Sequence, residues 1–157
     1  MTTTQQNIDL PSPVSLANVA SVFENEKLEF RVEEDILRSG FVNCAIVCAL
    51  DDDYLIVESI WRGTVPQEMA SHLLLAINEH NQTHFAPTLR FFENETGDDE
   101  PSLAVSAIRT IDVTNGLSPN QLGAFIVTSI ESTLQAFDFL ETSFPTLVNW
   151  KDPHVEH

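Results

Sequence analysis

The chain of 157 residues has few basic residues. Seven Lys plus Arg stand against twenty-four Asp plus Glu, which gives a formal net charge of -17 and a pI near 4.3. Binding to nucleic acid or to anionic lipid requires clustered cations that displace counterions from phosphate groups. The composition therefore excludes nucleic acid and membrane surfaces as expected partners.

Glycine and cysteine are also scarce, and their placement argues against catalysis. The five Gly form no Gly-x-Gly-x-x-Gly and no phosphate loop, and no Ser lies in a Gly-x-Ser-x-Gly elbow. Cys44 and Cys48 would lie on the order of 13 Å apart along a strand, too far for a disulfide or for one metal ion. We therefore expect two buried thiols, no cofactor, no metal and no enzymatic activity.

Long hydrophobic runs are absent. The longest, residues 44–50, is far short of the roughly 20 residues that span a bilayer. The first residues have neither a basic nor an apolar targeting region, so we expect a cytoplasmic protein. An apolar fraction of 43% suffices for one core. We expect a flexible segment over residues 1–13, one domain over 14–147 and a tail over 148–157.

Periodicity predicts mostly strands in the first half of the chain. Ser15 can cap a first helix that ends near Lys27. A two-residue alternation predicts strands over residues 28–32 and 36–39. A central strand is predicted over 41–50, and the polar turn 51–53 would join it to a returning strand over 54–61.

The second half is predicted to hold two helices and a second hairpin. A helix starts near Thr64 and Pro66 and runs to about Asn81, and strands follow over 88–93 and 103–113. The capping box 118–121 opens a helix of about 24 residues, or roughly 36 Å. The order α-β-β-β-β-α-β-β-α favours an α+β fold, an antiparallel sheet with helices on one face. The last helix is longer than such a sheet needs, so its spare apolar surface is an interface candidate.

Two clusters could hold metal ions, but each fits a structural role better. His80 and His84 are four residues apart, yet the helix is expected to end near Asn81 and no third ligand follows at a matching spacing. The acidic residues 93–100 do not match the EF-hand pattern and are expected to form a solvated loop. His154 and His157 would lie in a frayed tail.

Trp61 and Arg62, at the end of a predicted strand, are candidate partner-binding residues. Aromatic and Arg side chains are enriched at binding hot spots, although a Trp at a strand end is as often part of the core. Phe125 and Phe137, on the apolar stripe of the last helix, complete the candidate set.

The order and spacing of several short motifs resemble the bacterial YbjN family over residues 13–147. The matching residues are Trp61-Arg62, Leu74, Ala76-Ile77-Asn78-Glu79-His80-Asn81, Pro87, Asp112-Val113, Gly116-Leu117-Ser118, Gln121-Leu122, Phe137, Phe139-Leu140 and Phe144-Pro145. Members are provisionally assigned to sensory transduction regulation. The resemblance implies a fold similar to type III secretion chaperones, which are small acidic homodimers that bind proteins without cofactor or catalysis. It transfers no catalytic residue.

The resulting hypothesis is a non-enzymatic, cytoplasmic, homodimeric protein-binding module that acts as a chaperone-like or regulatory adaptor. The last helix and the open side of the sheet would contact a second copy or a client protein, and the acidic rim would favour basic partners. The alternative is a small-molecule sensor or an enzyme with a pocket near Trp61, His80 and His84.

Overall fold

The computed structural model describes residues 9–94 and 101–148 of the chain. The helices are α1 (Leu16–Asn25), α2 (Ala70–Thr83) and α3 (Pro119–Ser143), with single 3-10 turns at Gln67–Met69 and Pro145–Leu147. The strands are β1 (Arg31–Glu33), β2 (Ile36–Phe41), β3 (Cys44–Asp51), β4 (Tyr54–Trp61), β5 (Val65–Pro66), β6 (Thr88–Asn94) and β7 (Ser102–Asp112). The predicted α+β class and element order are confirmed, with the short β5 as an addition.

All seven strands form one antiparallel sheet. Strands β1 to β4 pair in sequence order, and β4 then pairs with β7. One edge of β7 is shared by β4 and β5, and its other edge pairs with β6. The sheet therefore has β1 at one side and β6 at the other.

The two faces of the sheet differ in burial. On β3, Cys44, Ile46 and Cys48 are fully buried under the helices, while the residues between them are half-buried on the opposite side. This two-residue alternation continues on β4, where Leu55 and Val57 are buried. We call the side without helices the open face.

Helices α1 and α3 begin at the caps that the sequence predicts. The Ser118 hydroxyl accepts a hydrogen bond from the Gln121 backbone N–H (3.1 Å), and the Gln121 side chain accepts one from the Ser118 N–H (2.8 Å). Pro119 occupies the first helical position, where its missing N–H costs no hydrogen bond. Ser15 caps α1 in the same reciprocal way with Asn18. Local sequence signals therefore fix where α1 and α3 begin.

Two predicted strands have different bounds in the structure. The strand expected over residues 28–32 pairs only from Arg31 onward, and Leu28 instead packs against the core. The strand expected over residues 41–50 begins at Cys44, because Phe41 ends β2 and the hairpin turns at Val42. The apolar Val42 and the two-residue alternation that runs through Asn43 conceal that turn in the sequence, and Val42 is 65% exposed.

Helix α2 starts later and ends later than predicted. Pro66 belongs to β5, and the α-helix runs from Ala70 to Thr83, past the expected end at Asn81. The Asn81 side chain donates to the carbonyl of Leu89 (2.8 Å) and accepts from its N–H (2.9 Å). Asn81 therefore connects α2 to β6 by hydrogen bonds, and the helix does not end at this residue.

The last residues of the segment predicted to be flexible form hydrogen bonds with the domain. Ser12 forms an antiparallel bridge with Leu117, with backbone N···O distances of 3.1 and 3.0 Å. The Asp9 carboxylate also accepts a hydrogen bond from the Asn120 N–H. Residues 9–12 are thus linked to the segment that precedes α3 and to its first turn. Residues 1–8, most of the acidic loop (95–100) and residues 149–157, with His154 and His157, lie outside the described residues.

Most of the apolar surface of helix α3 is covered in this fold. Leu122, Phe125, Ile126, Ile130, Ala136, Phe137 and Leu140 are buried, Val127, Leu134 and Phe139 are half-buried, and none of the large exposed apolar side chains in the described ranges belongs to this helix. Those exposed side chains are Leu10, Val32, Val42, Tyr54, Ile60, Leu74, Leu75, Phe85 and Phe92. The apolar surface that the sequence predicted to be spare on α3 is largely covered, because α1 and α2 both pack against this helix. No described helix is both long and apolar enough to cross a membrane.

Candidate functional site

Three of the four candidate partner-binding residues lie in the core. Trp61 is 1% exposed, and Phe125 and Phe137 are also buried. Trp61 follows the alternation of β4 and therefore points to the helix-covered face, while the two Phe side chains point from α3 to the same core. These three are corrected to core positions, and Arg62 alone is exposed.

Trp61 anchors the end of β4 to helix α3. Its indole Nε1 lies 3.4 Å from the Glu141 carboxylate, and the Asn43 side chain donates to the same oxygen at 2.9 Å. Gly63 makes room for the indole ring, since a Cβ there would lie 2.5 Å from two of its carbons. The buried Glu141 carboxylate is thus held by neutral donors from β4 and from the β2–β3 turn.

Arg62 lies on the open face, next to Trp61 in sequence but on the opposite side of the sheet. Its Nε donates to the Phe41 carbonyl and its Nη2 to the Cys44 carbonyl, each at 3.2 Å. Its guanidinium lies across Gly40, where a Cβ would come within 3.2 Å of Nη2. Arg62 therefore places a positive charge over the β2–β3 hairpin.

The two histidines of α2 meet, contrary to the sequence prediction. Because the helix extends to Thr83, the His80 and His84 rings stack with centroids 4.3 Å apart and an interplanar angle of 7°. Burial lowers the pKa of His80, and the neighbouring His84 lowers it further. Nowhere in 9–94 or 101–148 do three His, Cys, Asp or Glu side chains form a metal-binding group.

The proposed sensor pocket is small and lacks one of its expected members. His80, His84 and Phe139 line a cavity of about 180 Å³, and Trp61 does not line it. Ligand pockets are typically about 300–1,000 Å³. The geometry therefore gives little support to a small-molecule site at the histidines.

The open face presents apolar side chains without a covering layer. Ile60 is 38% exposed, and Tyr54 and Phe92 are also exposed. Half-buried apolar residues on neighbouring strands continue this surface: Ile36, Ala45, Val47, Ala49, Ile56 and Ile108. The sequence carries a signal for this second surface, since Ala45, Val47 and Ala49 alternate along β3 with residues of the buried face.

The open face also collects most of the described cations. Of the seven Lys and Arg, Lys151 lies outside the described residues, and four of the remaining six are on this face: Arg31, Arg38, Arg62 and Arg90. Arg31 and Arg38 pair with Glu33, and Arg90 pairs with Glu58 at 3.2 Å. In a strongly acidic chain, the centre of this face is therefore not acidic.

Both cysteines lie on the helix-covered face as free, buried thiols. Burial raises the pKa of Cys44 to about 11 and that of Cys48 to about 12. Nucleophilic attack by cysteine requires the thiolate, so neither residue is a candidate nucleophile at neutral pH.

We expect both thiols to react with a thiol-specific reagent at least roughly 100-fold more slowly in the folded protein than in denaturant, because their ionised fraction is that much lower. The folded chain holds these protons more tightly than the unfolded chain. The free energy of unfolding should therefore be unaffected by the thiols below about pH 8.5 and should fall as the pH rises toward 11. The absorbance of the group released from the reagent measures the reaction rate. Urea unfolding at several pH values measures the change in the free energy of unfolding. Rapid labelling of native protein would contradict the burial.

Comparison with known proteins shows the fold. No family model matches the sequence, and no curated protein matches it. The solved structure of YbjN from E. coli, a protein provisionally described as a transcription regulator, is similar with a TM-score of 0.63. The match has 17% sequence identity and covers 88% of this chain and 99% of that one. The chain therefore has a YbjN-like fold, which confirms the resemblance in its sequence motifs at the level of structure.

Proposed function

We propose that the chain is a non-enzymatic protein-binding module of the YbjN type, which acts in the cytoplasm as a regulatory or chaperone-like adaptor. The uncovered apolar surface of the sheet carries this proposal. Antiparallel sheets commonly leave one face to solvent, but that face is then mostly polar. Here Ile60, Tyr54 and Phe92 are exposed on it among half-buried aliphatic side chains.

A second copy of the chain is the proposed occupant of the open face. A net charge of -17 makes two copies repel each other over most of their surface. The open face reduces this repulsion, because Arg90 pairs with Glu58 beside the apolar residues and Arg38 pairs with Glu33 toward the β1 edge. A two-fold interface brings the same patch of both subunits together, so a patch carrying both signs of charge suits it.

The similarity of the fold to YbjN supports the regulatory role in this proposal. The structurally similar YbjN is provisionally described as a transcription regulator. Within residues 9–94 and 101–148 the buried thiols are protonated, and the histidine pair has no third metal-ligating partner. The acidic turns at 33–35 and 51–53 border the open face and would favour a basic client protein.

Sedimentation velocity tests the homodimer. The wild-type protein is expected to be dimeric at tens of micromolar, an order-of-magnitude range for weak dimers. Ile60→Glu should raise the dimer dissociation constant at least roughly tenfold, about 1.4 kcal/mol, because it buries a carboxylate in the interface. Leu75→Glu is the matched control, since Leu75 is 68% exposed on α2 and away from the open face.

The two variants separate an interface effect from a loss of folding. Circular dichroism should show the same helix content for both, because both positions are exposed. If the wild type stays monomeric throughout that concentration range, the homodimer is contradicted. If both variants weaken the dimer equally, the open face is not its interface. Affinity capture with wild type and Ile60→Glu, followed by mass spectrometry, tests the adaptor role, with a stoichiometric partner expected only for the wild type.

A further inference from the structure

A cleft lies beside β2 at the point where β1 ends. Strand β1 pairs only with the first half of β2, up to Arg38. The following residues of β2, Ser39 to Phe41, pair with β3 on their other side. The space left by the short β1 is a cleft of about 480 Å³, bordered by Phe30 and Arg62. This volume lies within the usual range of ligand sites, about 300–1,000 Å³.

Three arginines line this cleft, half of the six described cations of an acidic chain. They are Arg31, Arg38 and Arg62. Two carboxylates lie nearby: Glu33 bridges Arg31 and Arg38, and Glu29 borders the cleft. Arg62 donates hydrogen bonds to backbone carbonyls and forms no ion pair with a carboxylate among the described residues.

Several guanidinium N–H groups have no protein partner in the described ranges. Arg38 donates a hydrogen bond only through Nε, to Glu33 at 3.0 Å, so both of its terminal nitrogens remain available to a ligand. Arg62 uses Nε and Nη2 and leaves Nη1. Guanidinium groups bind carboxylate and phosphate oxygens through paired N–H donors, and such charge-assisted hydrogen bonds are strong. The free donors therefore match an oxyanion.

Aromatic side chains form the apolar part of the cleft. Phe30 and Phe41 are half-buried and border it on the side of β2. The Ser39 hydroxyl donates to the Glu29 carbonyl at 2.7 Å and holds the segment before β1 against β2. Beside the cleft, hydrogen bonds from Arg31 and Arg38 lower the pKa of Glu33.

We propose that this arginine cleft is a binding site for a small organic oxyanion, a carboxylate or a phosphate monoester with an aromatic group. Arg38 and Arg62 bind the oxygens, and Phe30 and Phe41 contact the aromatic group. The site lies on β1, β2 and the residue after β4, and its occupancy does not require the homodimer. It adds a ligand-binding role to the proposed protein-binding role.

Amide and arginine Nε shifts in ¹⁵N-labelled full-length protein test this site at constant ionic strength. The probes are phenyl phosphate, benzoate, inorganic phosphate and the neutral benzyl alcohol. We expect saturable shifts at residues 39–41 and at Arg62 with phenyl phosphate or benzoate, with a dissociation constant of about 1 mM or below. The tighter of these two probes distinguishes a phosphate from a carboxylate ligand. Inorganic phosphate should bind more weakly, because it lacks the aromatic group.

Two variants with the same charge change supply the control. Arg38→Gln should raise the dissociation constant roughly tenfold, because it removes free guanidinium donors while leaving the backbone contacts of Arg62 in place. Arg90→Gln, on the open face but paired with Glu58 outside the cleft, should change it by less than about twofold. The proposed site is contradicted if the shifts do not saturate or if benzyl alcohol causes equal shifts. It is also contradicted if both variants weaken ligand binding equally. Because Arg38 and Arg62 lie on the open face, the titration is repeated with Ile60→Glu, whose weakened dimerisation separates failure of the cleft from failure of the proposed dimer.

Discussion

Replacing Trp61 by alanine is expected to lower the free energy of unfolding by about 3–5 kcal/mol, the range observed for large aromatic residues in cores. Trp61 is among the largest fully buried side chains of the chain. The substitution removes the transfer free energy of the indole and leaves a cavity between β4 and α3. It also takes the Nε1–H away from the buried Glu141 carboxylate.

Urea unfolding followed by far-ultraviolet circular dichroism measures this loss. Trp61→Phe should cost less than Trp61→Ala, because the phenyl ring fills part of the cavity. Leu75→Ala serves as the control and should stay within about 0.5 kcal/mol, since this side chain is exposed. A change of less than about 1 kcal/mol for Trp61→Ala would mean that the side chain is not part of the core.

The same series separates a core residue from a binding hot spot. A hot spot would lose partner affinity on substitution by phenylalanine while the stability of the fold stayed unchanged. A core residue behaves in the opposite way, with stability reduced and affinity preserved in the folded fraction. The burial of Trp61 predicts the second pattern, so dimer affinity should be equal in Trp61→Phe and wild type.

Local signals predict much of the fold of this chain. The capping boxes at Ser15 and Ser118 fix two helix starts, because the hydroxyl and the side chain three residues later satisfy each other's backbone N–H groups. The polar turn at residues 51–53 predicts the hairpin of β3 and β4. The bounds of β1 and α2 depend on tertiary contacts, such as the hydrogen bonds between Asn81 and Leu89. Such contacts are not visible in a local pattern.

The candidate sites were harder to predict than the fold. Trp61 and Arg62 are adjacent in sequence, but consecutive strand residues point to opposite faces, so one is buried and the other exposed. The phase of β4 already places Trp61 with the buried Val57. The arginine cleft has no sequence signature, because Arg31, Arg38 and Arg62 meet only through the pairing of different strands.

Two glycine substitutions in the same region are expected to have opposite effects. Gly116 has a φ of +76°, and a Cβ there would lie 2.5 Å from the backbone oxygen of Ser12. Gly116→Ala should therefore lower the free energy of unfolding by roughly 2–4 kcal/mol, through the left-handed conformation and the backbone clash together. Gly123 lies inside α3 with nothing within 4 Å of its Cβ position, so Gly123→Ala should raise stability by about 0.5–1 kcal/mol.

Thermal and urea unfolding of both variants measure the difference in sign. The clash in Gly116→Ala can be relieved if the segment at Ser12 detaches from Leu117, and hydrogen exchange at the Ser12 and Leu117 amides would show this. In that case the cost is confined to the bridge and to the left-handed φ, at roughly 1–2 kcal/mol. Destabilisation by Gly123→Ala as large as that by Gly116→Ala would contradict the assigned backbone. The sign difference arises because the same methyl group meets a backbone carbonyl at one position and open space at the other.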